Sequence, residues 1–231
     1  MGYHGDVLVT AIHAMSGAGL GRPAFLDAGS GTNQVPQTGN IEIPYPGTVA
    51  AGNILVAYGI ANDASGGSVL LPGGWTSIGG GVTSIDGFFG ANCFWKTATG
   101  SESGTLSVSA FGSTYVAGRM YRFTRGTGIE SATQAETDAS SATISMVNLT
   151  LGNTKGLAVQ IYSIQANTTV GDPTGESNVD YLEAVAEYAG TSFGCLGISV
   201  GIPTSTSLTG GSITAGAAGT YRTRIGFGIQ F

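Results

Sequence analysis

The sequence predicts an all-β fold, an antiparallel β-sandwich of jelly-roll type, and three observations carry that prediction. Apolar and small polar residues alternate with period two along many short segments. Glycine- and proline-bearing breakers separate those segments at roughly even spacing. The composition joins 40 glycines in 231 residues to a hydrophobic content of 42 %, with only 10 % charged residues. A chain that apolar can offset the entropy of ordering, so the glycines read as turns and bulges rather than disorder.

The clearest alternations are at 105–110 (Leu106, Val108 and Ala110 against Thr105, Ser107 and Ser109), 196–202 and 221–231. In 196–202, Leu196, Ile198, Val200 and Ile202 alternate with Gly197, Ser199 and Gly201; in 221–231, Tyr221, Ile225, Phe227, Ile229 and Phe231 oppose Arg222, Arg224, Gly226, Gly228 and Gln230. Each is expected to turn one face to a core and one toward solvent. Further strands are expected at 7–13, 40–43, 53–60, 88–96, 115–123, 142–149 and 157–164. Segment 53–60 is apolar on both faces, as in a central strand or one covered by another chain. Segment 178–188 (NVDYLEAVAEY) has the strongest helix propensity; it is read as a strand from its context, with a helix as the alternative.

Residues 1–39 read as an N-terminal strand and extended arm, and 40–231 as the sandwich. The aperiodic stretch 14–40 either wraps a neighbour or lies over its own domain. Asn53–Tyr58 with Pro72 is echoed by Gly156–Ile161 with Pro173 and Gly175. This marks either a duplicated half-sandwich (40–127 and 128–231) or one strand type reused.

A formal charge of −6, with Lys96 and Lys155 the only lysines, argues against nucleic acid or an anionic membrane surface as direct partner. The opening residues lack a basic region followed by an apolar run, so no secretory leader is expected. Cys93 and Cys195 read as buried free thiols, with a disulfide as the alternative.

No catalytic constellation emerges, and neither an enzyme nor a cofactor is expected. His4 and His13 have no carboxylate or cysteine at ligand spacing, and no Ser or Cys has a base placed behind it. Gly17–Gly21 lacks the full spacing of a phosphate loop. Asp172, Glu176, Asp180, Glu183 and Glu187 read as a solvated acidic face, with a weak calcium site as the alternative. Asn148-Leu149-Thr150 and Asn167-Thr168-Thr169 match glycosylation sequons. Trp75 and Trp95 read as core residues, with a carbohydrate platform as the alternative.

Three segments in order, Val49-Ala50-Ala51-Gly52-Asn53-Ile54-Leu55-Val56-Ala57, Pro72-Gly73-Gly74-Trp75-Thr76 and Phe94-Trp95-Lys96-Thr97-Ala98-Thr99-Gly100-Ser101-Glu102, resemble the motifs of a diffuse group of β-sandwich proteins in bacteriophage particles. The likeness covers about residues 40–125 and is weaker beyond. It implies a non-enzymatic capsid decoration protein, head fibre or tail-associated adhesin, with Pro72, Gly74 and Trp75 as a structural turn. Position 53 departs from the group, which often has Asp there. The resemblance implies major capsid protein or other virion proteins as partners, a homo-oligomer such as a trimer, and assembly in the host cytoplasm. Head decoration is the first reading and a receptor- or glycan-binding tail adhesin the second, with exposed aromatic or amide groups sought at 79–90 or 204–219.

Overall fold

The computed structural model describes residues 22–34, 39–62, 66–83, 89–111, 115–124, 126–137, 140–164, 171, 173–181, 188–190, 194–219 and 222–231. The strand expected at 7–13, both histidines and Gly17–Gly21 lie outside them. None of the described residues is helical.

The chain forms two sandwiches. The first holds β1 (Phe25–Ala28), β2 (Thr32–Gln34), β3 (Gly39–Pro44), β4 (Ile54–Asn62), β5 (Ser68–Val69), β6 (Thr76–Thr83), β7 (Phe89–Thr97), β8 (Thr105–Phe111) and β9 (Tyr115–Phe123). Its wide sheet runs β1-β9-β4-β7-β6, with β2 also on β9, and a narrow sheet β3-β8-β5 covers it. The second holds β10 (Gly128–Thr137), β11 (Ser141–Ser145), β12 (Leu149–Thr150), β13 (Leu157–Ile164), β14 (Val179–Tyr181), β15 (Tyr188–Gly190), β16 (Gly194–Pro203), β17 (Ser207–Leu208), β18 (Ser212–Gly219) and β19 (Arg222–Gln230). Its wide sheet runs β10-β19-β13-β16-β14, with β15 also on β16; its narrow layer is two strand pairs, β11-β18 and β12-β17.

Every named pairing is antiparallel, and strands cross between sheets as in a jelly roll. The order β10-β19-β13-β16-β14 repeats β1-β9-β4-β7-β6 position for position. The echoing segments in β4 and β13 therefore occupy the same place in each half. Each half is a whole two-layer sandwich, and the first includes β1 and β2, upstream of residue 40.

The wide sheets pack face to face, giving four layers with three apolar seams. The central seam sets Ile54, Val56, Tyr58, Ile60, Tyr121 and Phe123 against Val159, Ile161, Ile198, Val200, Ile225 and Phe227. The first narrow sheet closes on a second seam with Ile41, Ile43, Leu55, Trp75, Phe94 and Met120. The third seam gathers Ile144, Leu149, Ala158, Tyr162, Leu208 and Ile213. Polar ties cross the centre. The Tyr58 hydroxyl hydrogen-bonds Ser163 Oγ at 3.3 Å and also Thr223 Oγ1, which itself meets Ser163 Oγ at 2.7 Å. Burial, opposed by these two hydrogen bonds, pushes the Tyr58 phenol up to about 12. Arg22 reaches across to the carbonyl of Thr154 at 3.0 Å.

Several expectations need correction. In 196–202 and 221–231 the glycine-bearing face does not meet water: Ser199 is fully buried, and Gly226 and Gly228 lie under Val147 and Leu151. Glycine there lets a second layer approach. Gly59 and Gly118 are directly opposed, and Ile41 and Ile43 descend onto them. The Tyr162 ring lies over its cross-strand partner Gly197. Residues 25–34, read as part of an arm that either wraps a neighbour or lies over its own domain, lie on their own domain as two short strands on β9, and the Gly29-Ser30-Gly31 interruption hid their period. For segment 53–60 the first of the two expected alternatives holds: it lies in a central strand buried on both faces. The ends of 178–188 are strand, with 182–187 outside the described residues. β6, β10 and β18 were unexpected, since their Gly-, Ala- and Thr-rich sequences carry little alternation.

Candidate functional site

The three motif segments meet at one end of the first sandwich. Pro72 to Trp75 is a β-turn closed by Trp75 N–H donating to the Pro72 carbonyl at 3.2 Å, and Gly74 has φ +80°, which a side chain resists. The turn drives Trp75 inward to 8 % exposure, edge-on to Phe94 with ring centroids 5.5 Å apart. Lys96 Nζ lies 5.7 Å from the Trp75 ring centroid and 2.7 Å from Glu102 Oε1. Glu102 also accepts the backbone N–H groups of Thr99 and Gly100, both at 2.9 Å. Asn53 Oδ1 accepts the Ala50 N–H at 2.9 Å, so an amide oxygen serves where the group often has a carboxylate. Gly52 and Asn53 pair with the Ala98 backbone and bind the first loop to the third. Pro72, Gly74 and Trp75 thus form a packing joint, and Trp75 offers no open ring face.

Burial alone would raise the Glu102 carboxyl, but Lys96 and the turn amides overcome it and hold the group at about 2. Its ordinary value is 4.5. A depressed carboxyl stabilises the fold above its unfolded value and loses that effect as pH falls through the folded one, a window from about 4.5 down to about 2. Glu102→Gln is expected to cost ~1–2 kcal/mol at neutral pH, allowing for solvent screening of a pair near the surface. It also flattens the acid dependence in that window. Urea midpoints from pH 7 to pH 2.5 for both proteins check this; parallel curves would refute it.

The remaining nominated residues do not converge on chemistry. Trp95 packs at the edge of the central seam. Cys93 is a buried free thiol whose pKa burial raises; the Cys195 side chain lies outside the described residues. Of the acidic group from 172 to 187, only Glu176 has a described side chain. Among the described residues no three His, Cys, Asp or Glu side chains form a metal-holding group. Asp27 is held by Arg122 at 2.6 Å and 2.8 Å, and Glu130 by Gly152 N–H and Gln230. Asn167 lies outside the described residues. The span 204–219 is largely strand rather than loop tip.

What does stand open is the outer face of the β3-β8-β5 sheet. A ladder of hydrogen bonds crosses it. Thr105 and Ser107 hydroxyls donate to Glu42 at 3.0 Å and 2.6 Å, Asn40 Nδ2 donates to Ser107 Oγ at 2.9 Å, and Ser109 donates to Asn40 Oδ1 at 3.3 Å. At the end of this satisfied polar strip stand Phe111, 61 % exposed, and Leu70 and Leu71, 42 % and 46 % exposed. The Leu70 N–H donates to Ser109, which puts Leu70 one diagonal from Phe111. Phe111 and Leu70 thus stand beside one another on this face, and the exposed Leu71 follows Leu70 in the chain. The signal was in the sequence: continuing the period at 105–110 by one residue puts Phe111 on the serine face.

Fold and face together define an all-β block of two jelly-roll sandwiches with one apolar-tipped outer sheet. No family model, curated protein or solved structure matches the chain.

Proposed function

We propose that this chain is a non-enzymatic virion structural protein, a capsid decoration or accessory protein that packs on a phage head and stabilises the shell. The observation that carries the reading is the apolar tip at Phe111 and Leu70, with exposed Leu71 next in the chain, at the end of a sheet face whose polar groups already satisfy one another. Such a face loses little hydrogen bonding on contact and gains from covering the tip. The four-layer stack behind it is a rigid support, and the motif resemblance points to phage particles. In this reading the partner is the major capsid protein or another virion protein, the chain works as a homo-oligomer, and its place is the virion.

The test is Phe111→Asp combined with Leu70→Ser. Both positions are exposed, so stability should move by no more than about 0.5 kcal/mol. Loading onto heads assembled without the chain should fall at least tenfold, the effect of losing one interface hot spot of roughly 2 kcal/mol. Copies per head are counted by quantitative mass spectrometry. Undiminished loading, or recovery of the native chain with tails alone, overturns the head assignment; the latter outcome favours a tail adhesin.

A further inference from the structure

From the geometry we infer a second site, independent of the shell-packing face: a groove on the second sandwich that binds a neutral saccharide. It lies where β10 passes the β12-β17 pair and has a volume of about 340 Å³. That falls within the roughly 300–1,000 Å³ typical of small-molecule sites. Leu149 and Leu208, directly paired and both 2 % exposed, turn into the third seam and form the packed base beneath the groove. Thr133, Asn148, Ser207 and Thr209 supply the polar lining.

Three features make this a prepared site rather than a surface dent. First, the β10 register breaks between Glu130 and Thr133. Bulges of this kind re-aim side chains beside binding sites, and Thr133 follows directly. Second, the Gly210 N–H donates to Asn148 Oδ1 at 3.0 Å, fixing the amide and leaving its Nδ2 hydrogens for a ligand. Third, the walls are tied by backbone bonds. Leu151 N–H donates to the Thr206 carbonyl at 2.7 Å, Thr209 exchanges bonds with Ser177, and Asn178 Nδ2 holds the Ser207 carbonyl at 2.8 Å. Asn178 takes a left-handed φ of 64° to make that contact.

The chemistry of the lining selects the ligand class. Among the described residues no charged side chain lines the groove, which leaves a phosphate, carboxylate or ammonium group without a counterion there. Hydroxyls that both donate and accept, beside one oriented amide, match the neutral hydroxyl groups of a sugar ring. Asn148, the first residue of a sequon match, lines the groove as a recognition residue.

The test titrates ¹⁵N-labelled full chain with glucose, galactose, N-acetylglucosamine and their β1,4-linked disaccharides, with glucuronic acid as the charged counterpart. At least one neutral sugar should move the amide signals of 132–133, 148–150 and 207–209 in a saturable way. Thr133→Val with Thr209→Val keeps shape while removing two hydroxyls, and should weaken that sugar about tenfold, as for two neutral hydrogen bonds. Ala132→Leu, at an exposed position, should do the same by crowding the groove, so a misfolded double variant does not end the test. No saturable shift at these residues with any neutral sugar overturns the proposal. So does binding that both variants leave unchanged, or tighter binding of glucuronic acid than of glucose. Loss of head loading in the Phe111 variant with sugar binding intact separates the two readings.

Discussion

Gly90→Ala is expected to destabilise the protein by about 3 kcal/mol, while Gly73→Ala, a few residues past the crossing strand, is expected to be neutral or to stabilise by about 0.5 kcal/mol. At Gly90 a methyl group would press into the Gly67 carbonyl, lying 2.6 Å from its carbon and 2.8 Å from Ser68 Cα. The obstacle is backbone, so no rotamer change relieves it. Gly67 in turn sits hard against the Ala61 carbonyl and Gly90 N, and Ala61 is the register partner of Gly90. The lead into β5 therefore crosses β4 and β7 at a point where none of the backbones can retreat, and the narrow sheet must lift for an alanine to fit. At Gly73 nothing lies within 4 Å of an added methyl, and the substitution mainly restricts the unfolded chain. Urea midpoints and slopes for the two variants decide it. A Gly90→Ala loss no larger than that of Gly73→Ala would show that the sheets are not held at contact distance there.

The same close approach explains which parts of the fold could be read from sequence. β9 and β13 were bounded without error, because each is rich in aromatic and β-branched residues and is flanked by Gly-, Ser-, Thr- or Asn-bearing segments. In β8 the Ser and Thr face is open, and the period was read correctly as far as it was followed. β16 and the 225–230 part of β19 also alternate, yet their glycine faces are buried. A missing side chain leaves the same trace in sequence whether water or a second layer fills the space. What distinguishes them is the partner: Ile41 and Ile43 over Gly59 and Gly118, Tyr162 over Gly197. Those pairings are long-range and no local window contains them. The open sites were hidden for a related reason. Phe111 and Leu70 are 41 positions apart in number and meet only through the β5-β8 pairing, and the groove needs β10, β12 and β17 at once.

Trp75→Ala is expected to cost about 4 kcal/mol, the usual price of removing a large buried aromatic. The ring fills the second seam, 8 % exposed and edge-on to Phe94, so its removal leaves a void that the Pro72–Gly74 turn cannot fold into. Trp75→Phe should recover more than half of the loss, because a smaller ring keeps the apolar contact and the edge-to-face geometry. The consequence extends to Glu102. Lys96 lies over the Trp75 ring and against the carboxylate; without the ring its ammonium is less constrained, and the carboxyl is less strongly held down. Stability should then be lost at higher pH than in the parent, with the acid limb moved toward the ordinary value of 4.5. A ligand platform makes the opposite demand, since an open ring face contributes little to folding and its loss costs binding instead. A Trp75→Ala protein within about 1 kcal/mol of the parent, with an unmoved acid limb, would therefore return the tryptophan to the surface.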